Sequence, residues 1–100
     1  SISDNRLGGW YGYRASKAAL NMYLKTLSIE LARTHKGVQI LSLHPGTTDT
    51  ALSKPFQARV PADKLFTPEF AATSLLAVMQ QAEGSGSGQF LAWDGQTISW

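Results

Sequence analysis

Cysteine is absent from these 100 residues, which removes a disulfide framework and any zinc site built on thiolates. Long apolar runs are missing too: nothing approaches the ~18 uncharged residues that a membrane-spanning helix needs. Charge of one sign never gathers into a block. Nine basic and seven acidic residues leave +2, and their scatter gives no footprint for nucleic acid or a membrane surface despite a nominal pI of 9.2. No internal repeat is present. The opening Ser1-Ile2-Ser3-Asp4-Asn5 has no initiator methionine, no basic segment and no apolar stretch, so it reads as neither a native start nor a signal peptide. The expectation is a cytoplasmic protein of which this chain is a piece.

What is present is globular in character. Hydrophobic residues make up 43% and charged residues 16%, enough apolar surface for one small core and too little charge for a disordered chain. Residues 1–12 read as a loop whose tip is Gly8-Gly9-Trp10-Tyr11-Gly12. From Tyr13 the pattern turns helical. Leu20, Leu24, Leu27 and Leu31 recur at helical spacing, and Ala15, Ala18, Ala19 and Ala32 would let a neighbour approach closely. His35 and Lys36 in the last turn and Gly37 behind them predict the end of a helix of roughly 20 residues.

Val38–His44 is a short aliphatic run between Gly37 and Pro45-Gly46, the pattern of a parallel strand buried on both faces. Such a strand needs partners on both sides, and the one other strand-like run is Gln89–Trp93. Residues 45–66 read as a long irregular segment, the kind that serves as a lid or binding loop. Thr67-Pro68-Glu69 predicts a helix start, with Thr67 as cap, Pro68 in the first helical position and Glu69 on the positive end of the dipole. Ala71, Leu75, Val78 and Ala82 would form its inner face. Gly84-Ser85-Gly86-Ser87-Gly88 reads as a flexible connector and Asp94-Gly95 as a turn. Helix, strand, loop, helix and strand in this order belong to the α/β class.

Two groups of residues carry chemistry. Tyr13 and Lys17 stand four apart, which puts a phenol and an ammonium on one helical face, one turn from each other. A cation beside a phenol favours the phenolate, as proton exchange with an alcohol or ketone near neutral pH requires. The same pair also occurs on ordinary solvated helix faces. The second group is His44-Pro45-Gly46-Thr47-Thr48-Asp49-Thr50, just beyond the first strand, where open α/β sheets bind ligands. Its bland alternative is a plain strand-to-helix turn with a capping Thr or Asp. His35 and His44 read as a helix-end cation and a strand-end residue, and no carboxylate cluster stands near them to make a metal site.

Together, Tyr13-Arg14-Ala15-Ser16-Lys17 as a YxxxK motif, and Pro45-Gly46 followed by Thr50, resemble the short-chain dehydrogenase/reductase family. Gly8-Gly9-Trp10 before the tyrosine, Arg14 after it, and the ending Gly88–Trp100 are similar to its C-factor and Sniffer-type carbonyl reductase branch. The resemblance implies the C-terminal part of a Rossmann-type doubly wound parallel-sheet domain, spanning residues 1–100, with the dinucleotide-binding half outside the chain. It implies an NADP or NAD cofactor, a small carbonyl or alcohol substrate and a homo-oligomer. Tyr13 would exchange the proton, and Lys17 would lower its pKa and hold the nicotinamide ribose. Pro45 and Gly46 would pack beside the nicotinamide, with the Thr48 backbone and the Thr50 hydroxyl near its carboxamide.

The family's Gly-rich phosphate loop and catalytic asparagine have no counterpart here, and its catalytic serine is expected upstream, with Ser1 and Ser3 the nearest serines. Residues 51–66 would form the substrate loop, with Phe56, Val60 and Phe66 as lid contacts and Trp10 and Tyr11 lining the pocket. A non-catalytic signalling or scaffold protein on the same fold is the alternative. Members acting on nucleotide sugars share YxxxK, but this C-terminus stops too soon for their large substrate domain.

Overall fold

A computed structural model describes residues 1–100. The long helix α1 spans Tyr11–Thr34. It starts two residues before the predicted point, because Trp10 turns the chain into the helix from a left-handed conformation and its carbonyl accepts from the Arg14 amide at 2.9 Å. No side chain caps this end. The helix stops at Thr34, and His35 closes it by donating its amide to the Leu31 carbonyl at 2.8 Å.

Strand β1, Leu41–His44, is shorter than the aliphatic run that predicted it. It pairs in parallel with β4, Gln89–Ala92, in the register Leu41 to Gln89 through His44 to Ala92. Within these residues it has one partner strand, and Ser42 is buried, Leu41 and Leu43 are half-buried and His44 is exposed. The segment predicted as irregular contains a second parallel pair. β2, Thr47–Thr48, runs beside β3, Leu65–Phe66, so the residues between them form a closed excursion. Two 3₁₀ turns, Lys54–Phe56 and Ala62–Lys64, lie within it.

Helix α2 spans Pro68–Ala82 with the predicted cap: the Thr67 hydroxyl accepts from the Phe70 amide at 3.1 Å. Its inner face is Ala71, Val78 and Ala82, with Leu75 half-buried. Val78 and Ala82 meet Leu91 of β4, and Leu41 and Leu43 pack against that cluster. This is the core. After β4 the Asp94-Gly95 turn sends the chain back antiparallel, with Leu91 bridging Thr97.

The packing face of α1 departs from the leucine pattern. Leu20 and Leu27 are exposed, whereas Ser28 is buried. Small polar residues sit here because backbone comes close. A Cβ on Gly88, at φ 77°, would stand 2.5 Å from the Ser28 hydroxyl and 3.1 Å from the Lys25 ammonium. Asn21 accepts from the Ser42 hydroxyl at 2.8 Å, and Lys25 donates to the Gly88 carbonyl at 3.3 Å. The Gly-Ser segment is therefore no flexible connector. Ser87 accepts from the Ile40 amide at 2.8 Å, Gly88 donates to the Ile40 carbonyl at 2.8 Å, and Gln39 donates to Ala82 and Gly86. Bonds to both sides hold it against β1 and α1. No helix is long and apolar enough to cross a membrane.

Candidate functional site

Tyr13 and Lys17 lie in the first turns of α1, and helical geometry brings them together as their spacing predicts. The Lys17 ammonium stands over the tyrosine ring, 5.7 Å from its centroid. Both side chains are open to solvent, Tyr13 at 56%. Ser16, between them, turns back to donate to the Gly12 carbonyl at 2.7 Å, a local helical bond that keeps it off the phenol. Ser1 and Ser3 hydrogen-bond each other at 3.2 Å and neither bonds Tyr13.

The turn after β1 is shaped by Gly46. Its φ of 75° is a left-handed conformation that favours glycine. A Cβ there would also stand 2.6 Å from the Phe66 ring and 3.3 Å from Trp93. Phe66 is thus not a lid residue. It belongs to a cluster behind the turn, with ring centroids 4.8 Å from Phe70 and 4.7 Å from Trp93. Pairing of β2 with β3 puts it there, and that pairing was not visible in the local pattern.

Thr48 presents two different groups. Its carbonyl accepts from Ser53, while its side-chain hydroxyl is buried and has no partner. An unpaired buried hydroxyl costs desolvation free energy without return. Thr50 is exposed, and its hydroxyl accepts from the Ser53 amide at 3.4 Å. The hydroxyl thus caps the following turn. His44 closes β1 beside this turn. Desolvation by burial holds its imidazole below the usual histidine value.

The two motif groups are joined by residues 53–57, which sequence reasoning did not single out apart from Phe56. Ser53 bonds Thr48, and Gln57 donates to the Asp49 carboxylate at 3.1 Å and to the Ser53 hydroxyl at 2.9 Å. Phe56, between them, packs edge-on to Trp10 with centroids 4.9 Å apart and 6.4 Å from the Tyr13 ring. Of the three residues expected as lid contacts, Phe56 is the one whose ring stands beside Tyr13 and packs on Trp10. Val60 is half-buried in the next turn, and Tyr11 points into solvent at 85% exposure. The signal for Ser53 was present as a serine before Lys54-Pro55, but a capping serine is too common to name a partner.

Chemically, the arrangement sets a phenol with a nearby cation beside an aromatic wall. A turn with an unpaired hydroxyl is tied to the same wall, at the carboxyl end of a parallel strand, where ligands of such sheets bind.

A family model described as short chain dehydrogenase matches residues 1–61. The chain is 38% identical over 100 residues to the 1-hydroxy-2-glutathionyl-2-methyl-3-butene dehydrogenase of Rhodococcus sp. (strain AD45), covering all of this chain and 42% of that protein. Among solved structures it resembles the carbonyl reductase Sniffer of D. melanogaster, with a TM-score of 0.82 and 28% identity, over 100% of this chain and 37% of that one. It also resembles an NADPH-bound carbonyl reductase from chicken fatty liver, with a TM-score of 0.81 and 32% identity, over 100% of this chain and 38% of that one. The chain therefore spans well under half the length of these relatives, and its fold matches part of their parallel-sheet domain.

Proposed function

The chain belongs to the short-chain dehydrogenase family, and from that premise we propose that the complete polypeptide is an NAD(P)-dependent oxidoreductase acting on a small carbonyl or alcohol compound. The chain is then the C-terminal portion of one such domain, carrying the proton-transfer pair and the substrate loop. Its thin core and the uncovered leucines of α1 support that assignment, since both suit a surface against which more of the sheet and its helices pack. The observation that carries the functional reading is the bridge from Thr48 through Ser53 and Phe56 to Tyr13, which ties the cofactor-side turn to the acid.

A nicotinamide held by Lys17 and the Pro45-Gly46 turn would supply or take up the hydride at the substrate carbon. The chain's own residues manage position and the proton. In the reducing direction Tyr13 passes its hydroxyl proton to the carbonyl oxygen, and the Lys17 ammonium favours the phenolate left behind. Pro45 and Gly46 bend the chain after β1, and the Thr48 backbone and the Thr50 hydroxyl would hold the carboxamide side of a nicotinamide there. A solved relative that holds NADPH supports a nicotinamide cofactor in this site.

The deciding experiment is Tyr13→Phe in the complete polypeptide. Turnover falls by at least ~10²-fold, while the far-ultraviolet circular dichroism and NADPH binding match the parent. Parental rates in that variant, or NADPH binding by the parent with no turnover of any carbonyl compound, would overturn the reading.

A further inference from the structure

Arg14 follows Tyr13 in sequence, yet its side chain reaches back along the chain. Its Nε donates to the Gly9 carbonyl at 3.0 Å and its Nη2 to the Gly8 carbonyl at 3.4 Å. The same guanidinium lies 5.5 Å from the centroid of the Trp10 ring. Trp10 is the one non-glycine residue with positive φ, 49°, a conformation that a bulky residue holds only when its surroundings enforce it. The enforcement is visible. Arg14 grips the two residues before Trp10 and covers its indole, and Phe56 packs against it edge-on. Phe56 in turn stands beside the Tyr13 ring, tilted by 35°.

We propose that Arg14 is a positioning residue that locks Trp10 against Phe56, and that this aromatic pair is the wall selecting carbonyl compounds with a flat, apolar aryl substituent. The proposal rests on Tyr13 being the proton donor. Phe56 stands 4.9 Å from the Trp10 ring and 6.4 Å from that of Tyr13, which puts the pair beside the phenol. The guanidinium is occupied by two carbonyls and an indole, which suits a clamp and not a receptor for an anionic substrate. An aryl group covers the wall with tilted or edge-to-face ring contacts. A small aliphatic carbonyl leaves it wet.

The test compares benzaldehyde with acetaldehyde in the complete polypeptide and in its Phe56→Leu, Arg14→Met and Arg14→Lys variants. The ratio of kcat/KM for benzaldehyde over acetaldehyde is expected to fall about tenfold in Phe56→Leu and Arg14→Met, chiefly through KM. Arg14→Lys recovers part of it, because an ammonium still covers the indole. Equal losses on both aldehydes, or an unchanged ratio in Phe56→Leu, overturn the wall. Should Arg14→Met fail to fold, Phe56→Leu decides alone. Tyr13→Phe keeps the two ideas apart. Its loss of both activities together with an unmoved ratio in Phe56→Leu rejects the wall and leaves the acid standing, whereas parental activity in Tyr13→Phe rejects the acid.

Discussion

The hydroxyl of Ser53 donates to the backbone carbonyl of Thr48, and this bond anchors the loop between β2 and β3 to the turn that follows the first strand. Ser53 also takes the Gln57 amide and exchanges bonds with Thr50. One half-buried side chain thus sets where Phe56 stands relative to Tyr13.

Removing it loosens the loop without melting the domain. Ser53→Ala should cost about 1–2 kcal/mol, the net worth of one or two partly buried hydrogen bonds. Hydrogen exchange is expected to speed up for the Phe56 and Gln57 amides while the α2 amides stay protected. Unchanged protection around Phe56 would mean that ring packing against Trp10 holds the turn by itself.

Glycine replacements separate backbone strain from crowding. Gly46, Gly84 and Gly88 all have φ between 75° and 77°, so alanine at each meets the same left-handed penalty of about 1–2 kcal/mol. At Gly84 nothing lies within 4 Å of the added carbon, whereas at Gly46 it meets Phe66 and at Gly88 it meets Ser28. Denaturant titration should rank Gly84→Ala as the mildest, with Gly46→Ala and Gly88→Ala clearly worse. Three equal losses would show that the neighbours yield.

Thr48→Val should raise stability in the absence of ligand. The valine keeps the shape and removes a buried hydroxyl that has no partner, a gain of about 1 kcal/mol. Thermal unfolding without cofactor checks the sign, and a lower midpoint would mean that the hydroxyl is paired in solution.

His44 gives the folded state a mild acid sensitivity. Its folded value is held below 6.5, first by desolvation. As pH drops through 6.5 the unfolded chain therefore takes up the proton first, and stability falls until the folded form protonates as well. Its exposure keeps the effect small. His44→Gln should flatten the fall in stability as pH drops below 6.5; an equally steep profile in the variant assigns the slope to other groups.

Local chemistry was legible without the fold. Thr67-Pro68-Glu69 starts α2 because a cap hydroxyl, a fixed φ and a first-turn carboxylate act within four residues. Tyr13 and Lys17 share a face because helical pitch alone puts them there. The inner face of α2 followed from its apolar period. The inner face of α1 did not: Ser28 is buried and Leu27 is not, because the close neighbour is the backbone of Gly88, sixty residues along the chain.

Cysteine's absence and the lack of long apolar or one-sign charged runs likewise bounded what these 100 residues can form before any fold was known, since composition limits which cross-links, spans and charge footprints a segment can make. Tertiary structure decided everything that depends on chain segments meeting. The pairing of Thr47-Thr48 with Leu65-Phe66 turned an irregular segment into a closed loop and sent Phe66 behind Gly46 instead of over Tyr13. The bonds of Ser87 and Gly88 to Ile40 turned a presumed linker into a fixed turn. Phe56 reached Trp10 and Tyr13 for the same reason: contacts between distant residues follow from packing and hydrogen-bond satisfaction, which no local period encodes.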